Sequence, residues 1–196
     1  MEKISLQGVK NARDLGGIRT ADGKVIRKKH LIKSGQLFGA TPQDMQTLRD
    51  EYQVKLIVDL RTQTERTRYP DPEIRGISNI WNPIFKEDIQ GASVFTPGEK
   101  EILEKHLKAL FILNHCSDKM EDAAVEAVRE MVQKEQFDPE AYMARIYHKF
   151  VNNQVIQKQI KQFFSLLVNR RGGAVLWHCG AGKDRSGICC ALLLYA

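Results

Sequence analysis

Two short apolar runs stand out along the chain: VKLIVDL at 54–60 and AVLW at 174–177. Polar or glycine residues bound both, so each predicts a buried strand. ISNIW at 77–81 predicts a third strand. Residues 15–35 read as short strands around an Ala-Asp-Gly-Lys turn at 21–24. Thr41, followed by Pro42 and Asp44, marks a helix start. Residues 98–151 change to helical spacing. Leu103, Leu107 and Leu110 make one stripe, and Asp118 with Glu121 suggests a capping box ahead of Val125, Val128 and Val132. Asp138–Pro139 opens a segment carrying Tyr142, Ile146 and Phe150. A further helix over 153–169 carries Val155, Ile156, Ile160, Phe163, Phe164 and Leu167, and Arg-Arg-Gly-Gly at 170–173 ends it.

Strand, helix and strand signals in this order predict an α/β fold with a central sheet flanked by helices. The helical block at 85–151 is larger than a strand connection requires and predicts an insertion, a candidate lid. At 196 residues the chain fits one domain, 1–196, with that insertion inside it. The 42% hydrophobic and 28% charged composition is that of a soluble globular protein. The longest apolar run, 188–196, is too short to span a membrane. The N-terminus has no signal-peptide core, and the run ALLLYA at the other end predicts a truncated C-terminus.

Charge adds one feature. Residues 1–35 hold nine Lys/Arg against three Asp/Glu, and the remainder is balanced, so the net charge of +6 belongs to the N-terminal segment. Two readings fit: a solvated face, or attraction to an anionic substrate or membrane surface. Nucleic acid is disfavoured, because the segment lacks interleaved aromatics and any binding motif. The four cysteines, two of them adjacent, read as free thiols of a reducing, cytoplasmic compartment, with Cys116, Cys189 and Cys190 structural. Secretion by a route independent of a signal peptide stays open.

The chemistry concentrates in HCGAGKDRSG at 178–187. A strand, a glycine-bearing loop and a helix make an anion site, because loop and first-turn N–H groups converge where the helix dipole favours negative charge. Gly180, Ala181, Gly182, Lys183, Ser186 and Gly187 are the candidate phosphate-binding positions. Cys179 stands at the mouth of this cup, where the same N–H groups stabilise a thiolate nucleophile. Arg185 can hold phosphate oxygens with its planar fork. Ser186 can donate to the sulfur as it leaves, and His178 orients the loop. A Walker A loop is excluded, since its first glycine would fall on Trp177 and its Ser/Thr on Asp184.

This loop resembles the signature of cysteine-dependent protein tyrosine phosphatases. More narrowly, it resembles the AGKDR[ST]G loop of the atypical, mostly microbial tyrosine phosphatase-like family that also acts on phosphoinositides. NARDLGG at 11–17 and LIVDLRTQTER at 56–66 resemble that family's N-terminal motif and its central DLR…E segment. The resemblance implies a three-layer phosphatase-like fold, a cysteinyl-phosphate intermediate, no metal and no cofactor. It implies catalytic roles for Cys179, Arg185 and Asp184. Arg13 and Asp14 would line or buttress the site. Asp59 would brace the loop arginine or make a local salt bridge. Lys33–Ser34 departs from the family's Arg-Ser. The general acid is expected at Asp184, with Asp88 as the alternative. The implied partners are a phosphorylated protein or a phosphoinositide, with peripheral contact to an anionic membrane. The competing functions are a non-catalytic phosphate-binding pseudophosphatase and a thiol-loop sulfurtransferase.

Overall fold

The computed structural model of the chain describes residues 1–20, 22–85 and 139–195. The chain divides into two compact units, residues 1–87 with 155–196 and residues 88–154. The first unit holds a six-stranded sheet in the order β1-β2-β3-β6-β4-β5. Its strands are β1 Glu2–Lys3, β2 Arg13–Asp14, β3 Leu31–Ser34, β4 Val54–Asp59, β5 Ser78–Trp81 and β6 Ala174–His178. β2 runs antiparallel to its neighbours β1 and β3, while β3, β6, β4 and β5 are parallel.

β6 lies inside the sheet and all five of its residues are buried. That is why it reads as a continuous apolar run: a central parallel strand is covered on both faces. On one face Trp177 meets Phe163 edge-to-face at 5.5 Å. Phe163 belongs to a helix, Gln154–Val168, which also buries Ile156, Ile160 and Leu167. On the other face Ile32, Ile57 and Leu176 pack with Leu48, Val54 and the N-terminal Ile4 and Val9. Leu48 sits in a π-helical turn, Thr47–Glu51, that continues helix α1, Pro42–Gln46. The expected α/β architecture, a central sheet flanked by helices, is the observed one.

α1 begins at the expected cap. Thr41 Oγ1 accepts from the Asp44 N–H at 3.1 Å, and the Asp44 carboxylate accepts from the Thr41 N–H at 3.0 Å. Asp44 also takes the N–H groups of Gln7 and Gly8, at 2.7 and 2.8 Å, and so ties the N-terminal segment to the helix. Burial pushes its carboxyl up, but these backbone donors outweigh it and hold it below the usual range.

The Thr20 N–H donates to Lys24 O at 2.8 Å, beside an isolated Arg19–Val25 bridge. Helix α2, Gln63–Arg68, follows β4 directly and was not expected. α3, Pro139–Asn152, starts at the expected proline, and Gln154–Val168 is α4. Residues 86–138 of the expected block, with Cys116 and Asp88, lie outside the described residues. No helix among the described residues is long and apolar enough to cross a membrane.

Register brings Ser34, His178, Asp59 and Trp81 level at the carboxyl ends of the four parallel strands. Open α/β sheets bind ligands at that edge.

Candidate active site

The loop at 179–183 leaves β6 at this edge and enters α5, Asp184–Tyr195. Cys179 is buried, and its thiol lies 3.6 Å from Ser186 Oγ. The Trp177 indole N–H donates to Ser186 O at 3.0 Å, so the strand fixes the first helical turn directly. Gly182 has φ +69°, and a Cβ there would lie 2.4 Å from Gly35 N. Only glycine allows the loop to pack this closely on the end of β3. The Gln36 N–H donates to Gly180 O at 3.0 Å from the same strand end. The Gly187 N–H bonds Lys183 O at 2.9 Å, as an intrahelical bond of α5. The N–H groups before it have no intrahelical acceptor and open the helix toward an anion.

Arg185 is held end-on. Its Nη1 and Nη2 each donate to the Glu65 carboxylate at 2.6 Å. Glu65 is also the third residue of α2 and accepts from the Thr62 N–H at 2.9 Å in a capping box. One carboxylate therefore starts the helix and fixes the arginine. Burial pushes the Glu65 carboxyl up, but Arg185 and Thr62 bring it down to about 2. Burial also works against the Arg185 charge, and Glu65 more than restores it.

This has a consequence for stability against pH. The folded carboxyl titrates near 2 and the ordinary one near 4.5, so between these values the unfolded chain binds more protons. Glu65's contribution is complete above 4.5 and is lost as pH falls toward 2. Urea unfolding from pH 6 to 3 should show the Glu65→Gln protein losing less stability on acidification than the wild type.

Behind the loop lies a buried ionic network. Asp59 receives Arg61 Nε at 2.9 Å and Nη2 at 2.8 Å. Arg61 also reaches Asp71 at 2.9 Å and Tyr69 O at 2.8 Å. Asp71 lies 2.9 Å from Nε2 of His178, the residue before Cys179. Burial pushes the Asp71 carboxyl up, and His178, Arg61 and the Leu37 N–H bring it below the usual range. Oxygens of Asp59 and Asp71 and a ring nitrogen of His178 lie within 4.8 Å of one another, which is ligand-like spacing. The Arg61 guanidinium already bonds both carboxylates, so these residues do not fit a metal ion without displacing it.

The sequence profile of the tyrosine phosphatase family matches residues 4–196. The chain belongs to the tyrosine phosphatase family. A protein of Cupriavidus necator whose name marks it as a provisional tyrosine-protein phosphatase is 25% identical over 194 residues, 98% of this chain and 57% of that protein. A tyrosine-protein phosphatase of Nostoc commune is 46% identical over 55 residues, 28% of this chain and 16% of that protein. The chain thus spans little more than half of the first relative and far less of the second.

Within this tyrosine phosphatase framework Asp59 takes the second of its two expected roles, a local salt bridge, here with Arg61. Glu65, not Asp59, bonds the loop arginine. Asp59 ends β4 level with His178, and its carboxylate turns onto Arg61 two residues later. Glu65 reaches Arg185 from α2 instead. The signal was present as Thr62-x-x-Glu65, a capping-box spacing. Asp71 had no comparable signal.

Asp14 buttresses the N-terminal turn, accepting from the Gly16 and Lys29 N–H groups at 2.8 Å each. Arg13 pairs with Lys33 across β2 and β3. Asn11 is the residue of that motif that bonds the loop. Lys183 is largely exposed and lies 3.9 Å from the Asp184 carboxylate. Cys189 and Cys190 are buried in α5, and burial pushes the Cys189 thiol up to about 12.

Proposed function

We propose that this chain hydrolyses phosphate monoesters through a cysteinyl-phosphate intermediate, with phosphotyrosine as its first substrate class. The observation that carries the reading is the Cys179 thiol 3.6 Å from Ser186 Oγ, in a loop whose arginine is gripped by Glu65. The Cys179 thiolate attacks phosphorus, the ester P–O bond breaks, and a carboxylic acid protonates the departing oxygen. Arg185 donates side-on to the phosphoryl oxygens while Glu65 keeps its other edge. Water then attacks phosphorus, giving its proton to the same carboxylate. The S–P bond breaks, and Ser186 donates to the leaving thiolate.

Phosphoinositide headgroups also present phosphate monoesters, of an alkyl in place of an aryl alcohol. The exposed Lys183 and the basic N-terminal segment support them as a second substrate class. Phosphate release should be measured from p-nitrophenyl phosphate, a phosphotyrosyl peptide and vesicles containing phosphatidylinositol phosphates. Release from the aryl and phosphotyrosyl substrates is expected. Release from none of them would overturn the reading, and release from the vesicles alone would reverse the order of substrates.

Asp184 is the proposed general acid, since it stands in the first turn of α5 beside Arg185. Asp88 is the alternative. Asp184→Asn should slow alkyl phosphates by roughly 10²-fold, with a much smaller effect on activated aryl phosphates. Because the acid acts protonated, its loss should also flatten the fall in rate on the alkaline side. The opposite pattern in Asp184→Asn and Asp88→Asn proteins would move the role to Asp88.

A further inference from the structure

We propose that Asn11 and Lys33 are positioning residues that set the polarity of the catalytic loop by holding its carbonyls outward. This rests on the reading of residues 179–186 as a phosphate cup. Three consecutive loop carbonyls are tied to the β2–β3 side. Gly180 O accepts from the Gln36 N–H at 3.0 Å. Ala181 O and Gly182 O accept from Asn11 Nδ2 at 3.4 and 2.8 Å. Gly182 O also accepts from Lys33 Nζ at 3.0 Å.

A trans peptide places its C=O and the following N–H in opposite directions. No cis peptide is present among the described residues. Turning the carbonyls of Gly180, Ala181 and Gly182 toward β3 therefore turns the N–H groups of Ala181, Gly182 and Lys183 away from it, as a converging donor set requires. A flipped peptide at any of these positions would aim a carbonyl lone pair where the set needs an N–H.

Two further features mark these side chains as more than loop packing. Asn11 has φ +56°, a left-handed conformation that a non-glycine residue adopts at a cost. The segment is held there by the Gly35 N–H, which donates to Lys10 O at 2.9 Å. Lys33 is 7% exposed and donates to a neutral carbonyl in place of a carboxylate. A lysine is seldom so buried. Its charge therefore stays unneutralised by that contact, on the outer side of Gly182, where it favours an anion in the cup.

The test uses Asn11→Gly and Lys33→Met, with Lys33→Arg as the conservative variant. Glycine takes φ +56° without strain, so Asn11→Gly removes the side-chain donor without straining the backbone. The readouts are inhibition by inorganic phosphate, the rate at which iodoacetamide alkylates Cys179 at pH 6, and thermal unfolding. Asn11→Gly should weaken phosphate inhibition about tenfold and slow alkylation several-fold, as expected for misaligned oxyanion donors. Lys33→Met should act in the same direction, and Lys33→Arg should stay near wild type. The unfolding midpoints should not account for these losses.

Wild-type phosphate affinity and alkylation rate in folded Asn11→Gly and Lys33→Met proteins would overturn the inference. So would losses no larger than the unfolded fraction. A wild-type chain in which phosphate neither binds nor protects Cys179 would instead overturn the cup itself.

Discussion

Replacing Cys179 by serine should lower turnover by on the order of 10⁴–10⁶-fold while leaving oxyanion binding nearly intact. Oxygen and sulfur occupy similar positions, so the N–H groups of the loop and Arg185 stay where they are. A serine hydroxyl holds its proton at neutral pH and is a far poorer nucleophile than a thiolate. Ser186 Oγ lies 3.6 Å from the thiol, and His178 Nε2 lies 2.9 Å from Asp71 behind the loop. Stopped-assay turnover and phosphate inhibition, measured on one preparation, check both halves. Substantial activity in the serine protein would contradict covalent catalysis by Cys179.

Arg185→Lys should cost about 10²–10³-fold in turnover although it conserves charge, as the loss of an oxyanion donor does. The guanidinium faces two ways. Its Nη1 and Nη2 edge is taken by Glu65 at 2.6 Å each, which leaves the remaining N–H groups for the phosphoryl oxygens. An ammonium cannot present two edges at once. Glu65→Gln, which keeps the shape and removes the charge, should have a smaller effect on kcat than Arg185→Lys. Steady-state kinetics on both variants with one aryl phosphate would show this order. Equal losses would mean that the carboxylate and the arginine act as one unit.

The parts of this site carried by apolar runs were legible in the sequence. β6 is buried throughout and β4 at four of its six positions, so their composition declares them, and the loop's glycines and Arg185 follow β6 at a fixed offset. α1 was legible through Thr41, Pro42 and Asp44. The pieces that escaped bury little of their own. α2 is a six-residue polar helix with no buried residue, so it has no apolar stripe. Its Thr62–Glu65 spacing was the available cue. β1 and β2 are two residues long, shorter than any alternation can reveal. Asp71 and Asn11 act across long sequence separations, to His178 and to Gly182. Only the assembled sheet brings those partners together. Asp59 had two readings in the sequence, and the choice of Arg61 over Arg185 depends on where α2 delivers Glu65.

The most direct test of covalent catalysis is to quench the wild-type protein during turnover of an aryl phosphate and weigh its peptides. The account predicts that the peptide containing Cys179 gains the mass of one phosphoryl group, and that the gain disappears when substrate is exhausted. Sustained phosphate release with no phosphoryl group on Cys179, or with the group on another residue, would contradict it.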